Sequence, residues 1–306
     1  MSEAREYRVG RRTVPVSHPD KQLLPAARGG GPAVTKADLA DHYLAVAGRI
    51  LPCLEGRPLS LQRFPDGLEA GGFYQKQRPD HFPAWVAGCE VAVKGSGETQ
   101  QQVCAGDAAT LVYLADQAVI TPHPWLSRAD RLDRPDRLVL DLDPPGDDFG
   151  VVRDAARALG DALQDAGLTA YVMTTGSRGL HVVAPLDRTT GFDTVRDLAH
   201  RLCERAAERD PDRFTVATRK DARRGRLFLD YLRNAYGQTA VAPYSVRPLP
   251  GGPVATPLDW QELGDGQLHA QRYHLGNLQR RLGQKEDPWA DFARRAASAA
   301  KAADRI

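Results

Sequence analysis

Hydrophobic residues recur along this chain at two spacings, and the spacing changes several times. Leu39, Tyr43, Val46 and Ile50 return every three or four positions, which predicts a helix. Thr35 stands just before it with Asp38 three residues on, the pattern of a capping box. A Gly-rich loop, Arg28-Gly29-Gly30-Gly31-Pro32, separates this helix from a short N-terminal segment. From about 58 to 104 the apolar runs become short and strand-like: Leu59-Ser60-Leu61, Gly72-Phe73-Tyr74, and Cys89 to Val93. Gly95-Ser96-Gly97 reads as a hairpin turn. Ala108 to Ala118 is predicted helical, and the two prolines of Pro122-His123-Pro124-Trp125 hold that stretch extended or turned.

From about residue 137 the pattern is more regular. Leu138-Val139-Leu140 leads into Asp141-Leu142-Asp143, and Pro144-Pro145 stops the strand. Val151, Val152, Ala155, Leu159, Ala162, Leu163 and Ala166 form one apolar helix face, closed by Gly167. Residues 169–174 and 181–184 are strand-like and joined by Gly176-Ser177-Arg178-Gly179. Phe192, Val195, Leu198, Ala199, Leu202 and Cys203 mark a second amphipathic helix, and Leu227 to Tyr231 a further strand. The Ala- and Arg-rich tail from about 285 is expected to be helical. The β–α–β–α–β order between 138 and 231 implies sheets with helices packed on one face.

Composition narrows the partners. Lys and Arg number 41 against 39 Asp and Glu, a formal charge of +2, so an anionic partner must be held by local patches. The apolar runs fall short of the ~18 residues a membrane span needs. The first twelve residues carry both charge signs and no apolar core, so no secretory signal is expected. None of the cysteines (Cys53, Cys89, Cys104, Cys203) forms a C-x-x-C pair or has a His at zinc spacing. The expectation is four buried free thiols in a reducing, cytoplasmic compartment.

Five groups of residues carry candidate chemistry. Asp141 and Asp143, at i and i+2 of a strand, point to one face roughly 6–7 Å apart. Side by side they repel, which a divalent Mg²⁺ or Mn²⁺ would relieve. Taken alone, D-x-D is better explained by a solvated strand end whose acids cap the Pro-Pro turn. Asp230, following Leu-Phe-Leu, is awkward to bury without a cation, and with the first two it would complete a two-metal site. Thr174 to His181 packs hydroxyls, glycines and Arg178 into a turn suited to phosphates, although a Gly-rich loop by itself favours a plain glycine hairpin with an exposed Arg and a core His. Arg219 to Arg226 sets five bases against one acid, suited to phosphate or simply a solvated loop. Phe73-Tyr74, with Arg63 and Lys76 nearby, could stack on bases; taken alone, Phe73 would be core.

Together these motifs resemble the polymerase domain of bacterial ligase D, of the archaeo-eukaryotic primase superfamily. The likeness runs from about His18-Pro19-Asp20-Lys21 to about Leu263 and is most specific at Leu138–Pro144, Thr175–Leu186 and Phe228–Ser245. It implies an α+β fold: a primase-like catalytic core of mixed and antiparallel sheet with helices packed on it, plus an N-terminal α/β portion. The whole of 1–306 would be one such domain, with a DNA-end and template-binding part at 1–130, a catalytic core at 131–265 and a helical tail at 266–306. The resemblance makes Asp141, Asp143 and Asp230 the catalytic metal ligands. Thr175, Ser177, Arg178 and His181 match the segment that holds the incoming triphosphate, with Lys220, Arg223 and Arg247 as further basic residues. Phe73 and Tyr74 match the aromatic pair at the templating base. Lys21 and Lys36 match bases that bind a downstream 5′-phosphate, with Arg63 in the same pocket. Gln62 departs from the pattern, standing where a base is found in relatives.

The implied activity is a metal-dependent DNA-directed nucleotidyltransferase. It would extend 3′ ends with nucleoside triphosphates, ribonucleotides preferred, using two Mn²⁺ or Mg²⁺ ions, to fill gaps in non-homologous end joining. The implied partners are gapped or overhanging DNA with a 5′-phosphate, the Ku end-binding protein and a separate ATP-dependent ligase, since no Lys-x-Asp-Gly adenylation motif is present. The expected location is the cytoplasm, at the nucleoid. Alternatives are a non-catalytic DNA-end-binding module, a primase starting strands de novo, or a metal-dependent nuclease.

Overall fold

The computed structural model describes residues 3–28, 30–93, 97–146 and 148–306. These form two compact units. One comprises Met1–Asp130, Val241–Ala255 and Tyr273–Lys285; the other comprises Arg131–Ala240, Thr256–Arg272 and Glu286–Ile306.

The first unit opens with an antiparallel hairpin, β1 (Arg5–Val9) and β2 (Arg12–Val16). Next come β3 (Gln22–Leu24) and β4 (Val34–Thr35), which also pair antiparallel. Their pairing carries the Lys36 N–H onto the Lys21 carbonyl at 2.9 Å, so two bases 15 positions apart become neighbours. Helix α1 (Lys36–Ala45) starts at the predicted capping box: Asp38 N–H donates to Thr35 Oγ1 and Thr35 N–H to the Asp38 carboxylate. Helix α2 (Ala47–Leu54) follows. Strands β5 (Leu59–Arg63), β6 (Phe73–Gln75), β7 (Gly88–Ala92) and β8 (Thr99–Val103) then form an antiparallel sheet in the order β6-β5-β8-β7. After α3 (Ala108–Asp116), β9 (Val119–Pro124) adds to β5, and β10 (Ser127–Arg128) follows. The core gathers Leu39, Tyr43, Ile50, Leu61, Leu111 and Ile120 with Tyr244, Val246 and Val254 of the returning chain.

Gly95 and Ser96 of the expected hairpin turn, and Gly29 of the Gly-rich loop, lie outside the described residues. The expectation of four free thiols is corrected: Cys89 and Cys104 form a disulfide, with Cα atoms 5.9 Å apart. The β7–β8 register sets Cys89 opposite Gln102, and Cys104 N–H continues the ladder to the Ala87 carbonyl. C-x-x-C spacing cannot detect partners that meet across a hairpin. Cys203 is buried and Cys53 half-buried, neither in a disulfide.

The second unit begins with β11 (Arg131–Pro135) and β12 (Arg137–Asp143). Then follow α4 (Phe149–Asp165), β13 (Tyr171–Thr174), β14 (Leu180–Pro185), α5 (Phe192–Arg209), β15 (Phe214–Thr215), the single turn α6 (Lys220–Arg223), β16 (Leu227–Asp230) and β17 (Pro257–Leu258). Six of the strands make one mixed sheet, β15-β16-β12-β14-β13-β17, parallel only between β15 and β16. Helices α4 and α5 pack on each other and on this sheet, giving the α+β class expected. Helix α4 ends where predicted, with Gly167 in the left-handed region at φ 78°.

The C-terminal segment differs from the continuous helix expected. It holds α7 (Leu275–Gln284), which belongs to the first unit, and in the second a 3-10 turn over Phe292–Arg295 and the short α8 (Ala299–Ala303). Side-chain docking explains the interruption. Trp289 Nε1–H donates to the Val172 carbonyl, Trp289 stacks on Phe292, and Tyr171 donates to the Asp291 carboxylate. Tertiary anchoring of the aromatic residues outweighs the helix propensity of the alanines. No helix among the described residues is long and apolar enough to cross a membrane.

Candidate active site

The three acids expected to act together come from two neighbouring strands. In the β12–β16 register Asp141 faces Asp230, and in the β12–β14 register Asp141 faces His181. Residues directly opposite on a sheet share a face, and Asp143 lies two positions along the same strand. Asp141, Asp143, Asp230 and His181 therefore stand on one face of three adjacent strands.

Their environments differ. Asp141 is buried, with His181 Nε2 3.3 Å from one oxygen and Arg233 Nε donating to the other at 3.1 Å. Burial alone would raise its pKa, but the imidazole and the guanidinium outweigh burial and hold it at about 2. Burial and the Asp141 charge push Asp143 up. Asp230 is likewise raised, chiefly by burial, although its carboxylate accepts the Leu232 N–H at 2.7 Å. One ionised carboxylate thus lies among two whose charge is poorly compensated. Among the described residues, no group of three or more His, Cys, Asp and Glu side chains is arranged to hold a metal ion.

The turn between β13 and β14 sits against the strand bearing these acids. Thr175 Oγ1 accepts the N–H groups of Ser177 and Gly179 and donates to the Gly179 carbonyl. A Cβ built on Gly179 would lie 1.7 Å from the Leu142 carbonyl oxygen, so only glycine lets the turn approach β12 this closely. Arg178 donates to the Pro144 carbonyl at 2.9 Å, just beyond Asp143, and its charge acts on that acid. Gln271 Nε2 reaches the Ser177 carbonyl at 2.9 Å.

The basic run divides. Lys220 is exposed, whereas Arg223 turns inward, donating to the Ala217 and Thr218 carbonyls with its guanidinium 4.0 Å from the Phe228 ring centroid. Arg223 remains close enough to Asp230 to lower its pKa.

The other expected contacts belong to the first unit. Phe73 and Tyr74 are not core residues: at 49% and 58% exposure they are, among the described residues, the large apolar side chains left in solvent. Arg63 lies beneath Phe73, 5.7 Å from the ring centroid. Tyr74 neighbours His123, whose Nε2 is 3.2 Å from Gln62 Oε1. Lys21 makes an exposed ion pair with Asp66, and Lys36 a buried one with Asp116. Arg247 sits on the segment returning to this unit, where its N–H donates to the Pro253 carbonyl.

Against known proteins, the model of the LigD primase-polymerase domain matches residues 35–289. The chain belongs to the LigD primase-polymerase domain family. It is 34% identical over 283 residues, 92% of its length, to the multifunctional non-homologous end joining protein LigD of Pseudomonas aeruginosa. It is 31% identical over 85% of its length to the bifunctional LigD of Bacillus subtilis. It spans 33% and 42% of those two proteins. A solved structure, the polymerase domain from Mycobacterium tuberculosis ligase D in complex with DNA, superposes with a TM-score of 0.83 at 30% identity, covering 94% of this chain and 99% of that one.

Two residues of this LigD-type site escape a motif reading. Arg233 supplies the cation that faces Asp141, and its own pKa is raised by the acids around it. Asn234 is fully buried; its side chain accepts the Val139 N–H at 2.8 Å and donates to the Val139 carbonyl at 2.7 Å. It acts as a surrogate strand where β16 has ended, and so anchors the segment carrying Arg233. The available signal was their place three and four residues after Asp230.

Proposed function

We propose that this chain is a DNA-directed nucleotidyltransferase that adds nucleotides to a 3′ end at a gap or overhang during non-homologous end joining, with ribonucleotides preferred. The observation that carries this reading is the side-by-side register of Asp141, Asp230 and His181, with Asp143 following, in a chain of the LigD family.

Asp141, Asp143 and Asp230 offer only oxygen donors, the chemistry that suits Mg²⁺ or Mn²⁺, and the burial that raises two of these acids is a cost a cation would offset. These three would hold two such ions, which when bound supply a more acidic 3′-hydroxyl and charge neutralisation at the leaving pyrophosphate. The remaining work is positioning. The Ser177 hydroxyl binds a phosphate oxygen, and Thr175, which accepts the Ser177 and Gly179 N–H groups, holds the turn in shape. Arg178 offers a guanidinium fork, and Lys220, Arg223 and Arg247 add positive charge. His181 fixes the Asp141 carboxylate and can donate to phosphate. Phe73 and Tyr74 supply a stacking surface for the templating base, and Lys21, Lys36 and Arg63 a basic pocket for a downstream 5′-phosphate.

The partners are gapped DNA with a 5′-phosphate, Ku and an ATP-dependent ligase, at the nucleoid. The test is single-nucleotide addition to a 5′-phosphorylated gapped duplex with Mn²⁺, comparing ribo- and deoxyribonucleotides. One-nucleotide extension with stoichiometric pyrophosphate, faster with the ribonucleotide, is expected. Binding without extension would make the chain an end-binding module; release of mononucleotides would make it a nuclease. Extension only from primer-free template would make it a primase.

A further inference from the structure

Lys36 and Phe73 are assigned above to different contacts on DNA, a 5′-phosphate and a templating base. Within the first unit one continuous set of hydrogen bonds joins them. Lys36 Nζ donates to Asp116 Oδ1 and to Ser17 Oγ, both at 3.2 Å. Ser17 donates to the same carboxylate oxygen through its N–H and its hydroxyl, each at 2.8 Å. Gln117 Nε2 donates to the other oxygen, Oδ2, at 2.9 Å. Gln117 in turn receives Arg63: Nε reaches its backbone carbonyl at 2.9 Å and Nη2 its side-chain oxygen at 3.5 Å. Arg63 Nη1 donates to Gln75 at 2.6 Å, and the guanidinium underlies the Phe73 ring.

The chemistry favours transmission along this set. Lys36 and Asp116 are nearly buried, at 9% and 12% side-chain exposure, so their attraction is poorly screened. Two of the three ammonium donors of Lys36 are engaged, leaving one for an incoming anion. A dianionic phosphate competes with Asp116 for that ammonium, and any shift of the carboxylate is felt by the Gln117 amide on its other oxygen. Gln117 caps the end of α3, and its amide links the acid to the arginine under the aromatic surface.

We infer that Asp116 and Gln117 are positioning residues that couple capture of a DNA 5′-phosphate at Lys36 to the orientation of Phe73 against the templating base. The inference rests on the end-binding role of Lys36 and the stacking role of Phe73.

The experiment uses the full chain and a one-nucleotide gapped duplex carrying 2-aminopurine at the templating position, with a 5′-phosphate or a 5′-hydroxyl downstream. In the wild type the phosphate should both tighten binding, by anisotropy, and change the 2-aminopurine fluorescence of the saturated complex. Gln117→Ala removes the amide but keeps the backbone carbonyl that Arg63 uses. It should retain the tighter binding and lose the phosphate-dependent fluorescence change. Asp116→Asn, checked for folding by its melting temperature, should do the same. In a double-mutant cycle, Lys36→Ala and Phe73→Ala should show coupling of about fivefold in affinity, reduced to additivity in the Gln117→Ala background. A Gln117→Ala protein that keeps the full fluorescence response, with the cycle unchanged, would overturn the coupling. A wild type indifferent to the 5′-phosphate would overturn the end-binding role, and the coupling with it.

Discussion

Gly179 is where a single atom decides the geometry of the site. A methyl group there meets the Leu142 carbonyl, so Gly179→Ala must push the turn off β12. The expected loss of stability is about 1–3 kcal/mol, as for other overpacked sites, read from urea midpoints. In the extension assay, the displaced turn should also raise the KM for nucleotide. Asn234 gives a second test. Asn234→Ala leaves the buried N–H and C=O of Val139 unpaired, a cost of about 2 kcal/mol or more, whereas an exposed control such as Gln279→Ala should be neutral. Some of this was legible beforehand. The three acids and the glycine turn stand in recognisable motifs because strand spacing alone puts Asp141 and Asp143 on one face. Arg233 and Asn234 were not legible, because their partners follow from where β16 stops beside β12. Arg223 was expected to be a base offered to the triphosphate, with a solvated loop as the alternative; the Phe228 ring and two carbonyls draw it inward.

At the scale of elements, α1 shows how local and tertiary signals combine. Its start was written in Thr35 and Asp38, but the fate of His42 on its buried face depends on a strand-like segment some 200 positions on. His42 Nε2 donates to the Tyr244 carbonyl at 2.8 Å, and burial lowers its pKa to about 4. The folded state therefore holds a neutral imidazole that the unfolded chain protonates first as pH falls. Stability should drop between about pH 6.5 and 4, by about 3 kcal/mol from this group, and level off below. Chemical denaturation across that range in the wild type and in His42→Gln checks this; an unchanged slope in the variant would remove His42 as the cause. The β7–β8 hairpin makes the complementary point. Its strands were legible, while the Cys89–Cys104 link depends on a register that spacing does not encode. Closing a loop of 15 positions is worth about 3 kcal/mol, so reduction, or Cys89→Ser with Cys104→Ser, should lower the melting temperature of the oxidised protein.

At the scale of the whole molecule, the two units divide the chemistry. The second carries the carboxylates and the β13–β14 turn, and the first carries the exposed aromatic pair and the paired lysines. With a formal charge of only +2, the affinity for DNA that the proposed function requires would have to come from these local groups. The tail shows the limit of composition at this scale: its alanines from about 285 suggested helix, whereas that stretch holds a 3-10 turn over Phe292–Arg295 and a short helix over Ala299–Ala303. The central assignment is that Asp141, Asp143 and Asp230 drive nucleotidyl transfer. The most direct measurement is the single-turnover rate of one-nucleotide addition to gapped DNA with Mn²⁺, for the wild type and for Asp230→Ala, the acid that reaches the site from the neighbouring strand β16. The predicted result is loss of extension by about 10³-fold or more with DNA binding retained. Extension by Asp230→Ala at the wild-type rate would contradict it.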